Sequence, residues 1–197
     1  MKLKIYKCIF TILVIVVIIV IGLIAIKYYR SNINEQDNKR VVDVFSRNVE
    51  KLEKENTTMN GYNVIGIVKI PKIELEYPIL DIETSNPEET KEPMKISIVK
   101  YWGGKVNEFG NLSIAGHNNY DGTMFGKTKK LEIGDEVELT DLDNKTIKYK
   151  IYDKFVTNPN DVTILATKDE SIREVTLITC TNGNKERLIL KAKEILN

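Results

Sequence analysis

Val175 to Cys180 reads VTLITC, a β-type run that ends on a cysteine and gives way at once to Thr181-Asn182-Gly183-Asn184. β-branched residues followed by turn formers mark a strand leaving into a loop. Cys180 therefore stands at a strand exit. A second run, Leu188–Ala192, begins just past Arg187, seven residues after Cys180, and that spacing predicts a hairpin whose guanidinium reaches the neighbourhood of the thiol. A third run, Asn111–Ala115, exits into Gly116-His117-Asn118. His117 is the only histidine in the chain, and Cys180 is the only cysteine outside the apolar N-terminal segment.

Working outward, the same pattern continues. Val64–Ile70 and Leu75–Leu80 are short β-branched runs split by Pro71, the second closing before a Ser85-Asn86-Pro87 turn. Glu136–Leu139 and Thr146–Val156 flank Asp143-Asn144, which reads as a hairpin turn. Short helical pieces are expected near Pro87–Pro93 and Asp161–Ala166. Seven or eight short strands with turn punctuation argue for a mainly β domain, a small barrel or a sandwich.

A thiol and an imidazole at strand exits suit nucleophilic acyl transfer, in which a thiolate attacks and the imidazole moves the proton. The ordinary reading of each residue is milder. A free cysteine in a β domain is most often a small buried hydrophobe, a lone histidine is usually structural, and Arg187 alone could be a surface ion-pair partner. Against that, a domain outside the cytoplasm that keeps an unpaired thiol exposes it to oxidation, which favours a use for it. Lys185 and Arg173 are the other cations that could serve if Arg187 does not.

Cys8 to Ile26 is a 19-residue run whose only polar members are Thr11 and the border Cys8. At 1.5 Å rise per residue it crosses a hydrocarbon core of about 30 Å. The alternative, a cleaved signal peptide, calls for an apolar region of about 7–15 residues and a small-residue cleavage site; here Lys27-Tyr28-Tyr29-Arg30 follows instead. Lys2, Lys4 and Lys7 precede the run, which favours a cytoplasmic amino terminus. The expected organisation is a cytoplasmic tip and transmembrane anchor over 1–30, a polar stalk with an amphipathic helix over 31–60, and a catalytic β domain over 61–197. Val41, Val44, Phe45, Val49 and Leu52 recur at the helical period, with Asp37 or Asn38 as a start cap. The stripe could pack on the domain, pair with a second chain or lie on the membrane.

With 29 basic and 28 acidic residues, net charge is +1; no global field points to nucleic acid. One soluble cysteine excludes an intrachain disulfide framework there, and with one histidine it offers no zinc-type ligand set. Glu108 and Asp169-Glu170 are too sparse to argue for calcium. No metal or cofactor is expected.

VTLITC resembles the TLxTC signature of the sortases, the surface-protein transpeptidases of Gram-positive bacteria. NLSIAGH (Asn111–His117) resembles their histidine motif, Arg187-Leu188-Ile189-Leu190 their arginine strand, GIVKIPKIELEYPIL (Gly66–Leu80) their opening strands, and LEIGDEVEL (Leu131–Leu139) a middle segment. The similarity runs from about residue 63 to 195, with the motifs in family order. The resemblance selects an eight-stranded β-barrel with short helices and implies catalytic roles for His117, Cys180 and Arg187, with Thr179 as a substrate-binding hydroxyl. It also implies an LPxTG-like sorting signal on a surface protein as substrate and a cell-wall or pilin amine as acceptor, with the catalytic domain outside a single-pass membrane anchor. The stretch after His117 is similar to class B, whereas the compact domain and Asn158–Val162 are closer to class A or class D. Only six residues separate Cys180 from Arg187, shorter than the family norm, which puts a standard LPxTG preference in question. A membrane-tethered cysteine peptidase and a non-catalytic binding module are the alternatives.

Overall fold

The structure, a computed structural model, describes residues 2–82, 87–167 and 169–196. It divides into two compact units, Met1–Asp37 and Asn38–Asn197. The first is helical throughout its described length, belonging to helix α1 (Lys2–Ser46), which carries a stretch long and apolar enough to cross a membrane.

In the second unit the alternating pattern becomes the two faces of one sheet. Eight strands form it: β1 (Tyr62–Ile70), β2 (Leu75–Leu80), β3 (Ile98–Trp102), β4 (Gly110–Ala115), β5 (Glu136–Asp141), β6 (Thr146–Thr157), β7 (Arg173–Thr181) and β8 (Glu186–Glu194). They pair in the order β1-β2-β3-β4-β7-β8-β6-β5, and β5 returns to β1 to close an eight-stranded barrel. The β2–β3 and β4–β7 pairs are parallel and the rest antiparallel. A two-residue strand, Thr58–Met59, adds to β1.

Side chains two apart share a face, and here each face has its own cluster. Val68, Ile79, Ile98, Ile114, Leu177 and Leu190 fill the interior. Their neighbours Ile67, Leu80, Val99, Ala115, Ile178 and Ile189 form a second cluster on the outer face. That outer row would face water were it not covered by Val41 and Phe45 of α1, with Met59 and Ile164. Each such buried side chain contributes about 1.5–3 kcal/mol, so residues 38–46 are part of the barrel unit. Gly66 is required by close packing: a Cβ there would lie 2.5 Å from the Thr140 carbonyl oxygen and 3.0 Å from Val106.

Several expectations change in detail. The amphipathic stretch does not begin at a cap on Asp37 or Asn38, because α1 runs through both; Asn38 is buried, its amide donating to Ile96 O at 3.4 Å. The stripe also breaks at Asn48, whose φ is +51°. Leu52, on the short helix α2 (Lys51–Glu55), is exposed, and Lys54 is buried there instead with its ammonium over the Phe45 ring. β3 was not among the expected strands. The helical pieces fall where expected, as a 3-10 turn at Pro87–Thr90 with helix α3 (Lys91–Met94), and a 3-10 turn at Thr163–Leu165. Ser85 and Asn86 of the expected turn lie outside the described residues. Asn144, with φ +62°, closes the β5–β6 hairpin as expected.

Candidate active site

Three strand ends meet at one edge of the barrel. β4 and β7 run parallel with Ala115 beside Ile178, and the Gly116 N–H donates to Ile178 O at 3.1 Å. His117 lies two residues past Ala115 and Cys180 two past Ile178, so the same register carried forward sets them side by side. On the other side, β8 places Arg187 directly opposite Cys180. Cβ atoms of such a pair lie about 4.5–5.5 Å apart, and adjacent strands about 4.7–4.9 Å. His117, Cys180 and Arg187 thus form a row across three neighbouring segments. All three are half-buried, and Cys180 is a free thiol.

Local sequence explains why the row is held. The β7–β8 turn takes Asn182, Gly183 and Asn184 through φ of +48°, +62° and +71°, left-handed values that Asn and Gly tolerate better than other residues. This tight reversal fixes the register of Arg187 against Cys180. Arg187 Nη1 donates to Asn184 O and to Glu186 O, each at 3.2 Å, which anchors one arm of the fork.

The loop after His117 is closed by its own bonds. Phe125 N–H donates to His117 O at 3.0 Å, Asn118 and Met124 form an isolated bridge, and Asn119 Nδ2 donates to Thr123 Oγ1 at 2.9 Å. Asp121 Oδ1 accepts from the Thr123 N–H and hydroxyl at 3.0 and 2.6 Å. The loop is also bonded to the thiol's strand: Asn118 Nδ2 donates to Cys180 O at 2.9 Å.

Thr179, next to the thiol, lies inside the sheet. It is buried, and its hydroxyl donates to Gly116 O at 2.7 Å, so its one proton ties β7 to the residue before His117. Arg173, a reserve candidate for the positive charge, sits at the start of β7 and is engaged with Asn107 O at 2.7 Å and Glu194 Oε2 at 2.9 Å. Lys185 is an exposed turn residue. Sequence reasoning missed Asn118 and Lys95. Asn118 adjoins His117 but carries no pattern of its own, and Lys95 is remote in sequence.

Burial holds the His117 imidazole below its ordinary value, and the Lys95 ammonium lowers it further. Both effects favour the neutral ring near pH 7, the form able to accept a proton from a thiol. A half-buried thiol, an imidazole held toward its neutral form beside it and a guanidinium opposite are groups of the kind that can together carry out acyl transfer.

Comparison with known proteins gives the chain a family. A model of the sortase domain matches residues 68–195. Sortase A of Bacillus anthracis is 28% identical over 141 residues, 68% of this chain and 61% of that protein, so the chain spans under two thirds of that relative's length. Sortase A of Staphylococcus aureus is 25% identical over 166 residues, covering 82% of this chain and 76% of the relative. Among solved structures, a Clostridium perfringens Sortase D5 transpeptidase is similar with a TM-score of 0.66 and 30% identity, over 84% of this chain and 99% of that one.

Proposed function

The chain belongs to the sortase family, and from that membership we propose that it is a membrane-anchored cysteine transpeptidase. The observation that carries the reading is the row of His117, Cys180 and Arg187 across the ends of β4, β7 and β8. The substrate class is a surface protein bearing an LPxTG-like sorting signal, with a cell-wall or pilin amine as acceptor.

In this mechanism the neutral His117 ring takes the Cys180 proton as sulfur attacks the substrate carbonyl. The tetrahedral oxyanion collapses to a thioester, and the imidazolium returns its proton to the departing amine. The incoming amine then attacks the thioester, again losing a proton to His117 before the thiolate leaves. Arg187 is always cationic. With Nη1 anchored by turn carbonyls, the rest of its fork serves the oxyanion. Thr179 ties β7 to the histidine segment through Gly116. The tight β7–β8 turn leaves little chain for reading the signal, so the preference departs from standard LPxTG.

The apolar part of α1 supports a single-pass anchor, its large side chains from Ile9 to Ile26 being exposed. In this proposal the amino terminus lies in the cytoplasm and the barrel unit outside. Product analysis tests the reaction type. Peptide cleavage that yields an amide with an added amine supports a transferase, whereas free acid alone, whatever the amine concentration, makes the enzyme a peptidase and overturns the proposal.

A further inference from the structure

His117 is attached to the Cys180 strand on both sides. Upstream, Gly116 receives the Thr179 hydroxyl and donates to Ile178 O. Downstream, Asn118 Nδ2 donates to the carbonyl of Cys180 itself at 2.9 Å. We propose that Asn118 is a positioning residue, its amide being the tie that sets the His117 ring against the Cys180 sulfur for proton transfer; this rests on the transpeptidase reading above.

The other ties hold the backbone on either side of the ring. Upstream they end at Gly116, which is buried and bonded through both its N–H and its carbonyl. Downstream the Phe125 N–H donates to His117 O, and Phe125 and Met124 are themselves buried in the barrel interior. Asn119 to Thr123 and Asp121 to Thr123 preserve the form of the loop between. None of these bonds reaches Cys180. The Asn118 side chain crosses from this loop to the nucleophile's residue. Its acceptor is a carbonyl, which can only receive, so the amide nitrogen must face it. Asn118 is exposed, where water competes for both partners, so the bond adds little to stability. Its consequence is distance and angle at the reacting pair, to which rate is steeply sensitive.

The test uses the full chain in detergent micelles, with Asn118→Ala and Asn118→Asp. Alanine removes the tie. Aspartate keeps the shape, but its carboxylate cannot donate and places an oxygen against the Cys180 carbonyl. We expect Asn118→Ala to lower kcat for a sorting-signal peptide roughly 10–100-fold, the scale of a misplacement of about 1 Å. KM should stay within about twofold, as befits a group that does not hold substrate. Asn118→Asp falls below Asn118→Ala at neutral pH, and both melt close to the wild-type temperature. A substrate-free readout accompanies this: the pH profile of Cys180 alkylation by iodoacetamide, followed by peptide mass so that Cys8 does not interfere. The Asn118→Ala profile should move from that of the wild type toward that of His117→Ala. A folded Asn118→Ala with wild-type kcat and an unmoved profile overturns the proposal, as does a change confined to KM. Should no peptide be turned over by the wild type, the transpeptidase reading fails, and the alkylation profiles still decide the role of Asn118.

Discussion

Arg187→Ala and Arg187→Lys discriminate most sharply between roles at this site. Arg187 faces Cys180 across the β7–β8 ladder, and Nη1 is held by Asn184 O and Glu186 O at 3.2 Å each. A side chain pinned by one arm presents its other donors in a fixed place, the requirement for stabilising charge that appears only in the transition state. Losing one such donor typically costs about 10²–10³ in kcat, or about 2.7–4 kcal/mol. A substrate-holding contact, shared by ground and transition states, would instead raise KM. Lysine keeps the charge, but its single ammonium cannot bind the turn carbonyls and also reach the oxyanion as a planar fork does. Arg187→Lys is therefore expected to lose roughly 10–100-fold in kcat, and Arg187→Ala more. The assay is steady-state kinetics of the full chain on one sorting-signal peptide, with circular dichroism as a check on folding. Near-normal kcat/KM in a folded Arg187→Ala would refute the reasoning and reduce Arg187 to a clasp for its own turn.

Three further outcomes are expected. The single histidine makes its NMR titration unambiguous, and Lys95→Gln should move the His117 midpoint upward by removing a nearby positive charge; an unmoved midpoint would leave burial as the sole cause. Folding holds His117 below its ordinary value of about 6.5, so the unfolded chain takes up a proton more readily. Stability should therefore fall as pH drops from about 6.5 through the folded midpoint, and His117→Gln should flatten that slope in melting curves. Gly66→Ala forces a Cβ to within 2.5 Å of the Thr140 carbonyl and should destabilise the barrel by about 1–3 kcal/mol in urea unfolding, whereas Gly134→Ala, with open space but φ of +99°, should cost about 1 kcal/mol. Removing residues 1–30 should leave a soluble chain that still cleaves peptide, since the barrel unit begins at Asn38; a folded but inactive truncation would give the anchor a part in the chemistry.

The strand ends that matter were legible because each is a β-branched run broken by turn formers. Gly116-His117 and Cys180-Thr181-Asn182 could be placed at exits without coordinates, and the seven-residue step to Arg187 read as a hairpin. Less visible was β3, whose pairing is thin: two parallel partners on β2 and an irregular register with β4. Its residues Ile98–Trp102 carry no turn signals of their own. The stripe from Val41 to Leu52 misled because it was read as one helix, while the left-handed Asn48 redirects the chain and exposes Leu52. Thr179 illustrates a different limit: in a strand the neighbouring side chain points to the opposite face from Cys180, and the partner found there, Gly116 O at 2.7 Å, comes from a segment 63 residues away that no local pattern names. Barrel closure through β1 and β5 depends on pairing between distant segments, which no local pattern encodes.

The central claim is that the Cys180 sulfur carries the acyl group. Intact-mass and peptide-mass spectrometry of the full chain, quenched during turnover of LPxTG-like peptides, tests it directly. The expected result is a mass increase equal to the acyl fragment of the peptide, located on Cys180 and discharged by an added amine, with no adduct and no cleavage in a folded Cys180→Ala. Peptide cleavage that persists in Cys180→Ala, or an acyl group found on any other residue, would contradict it.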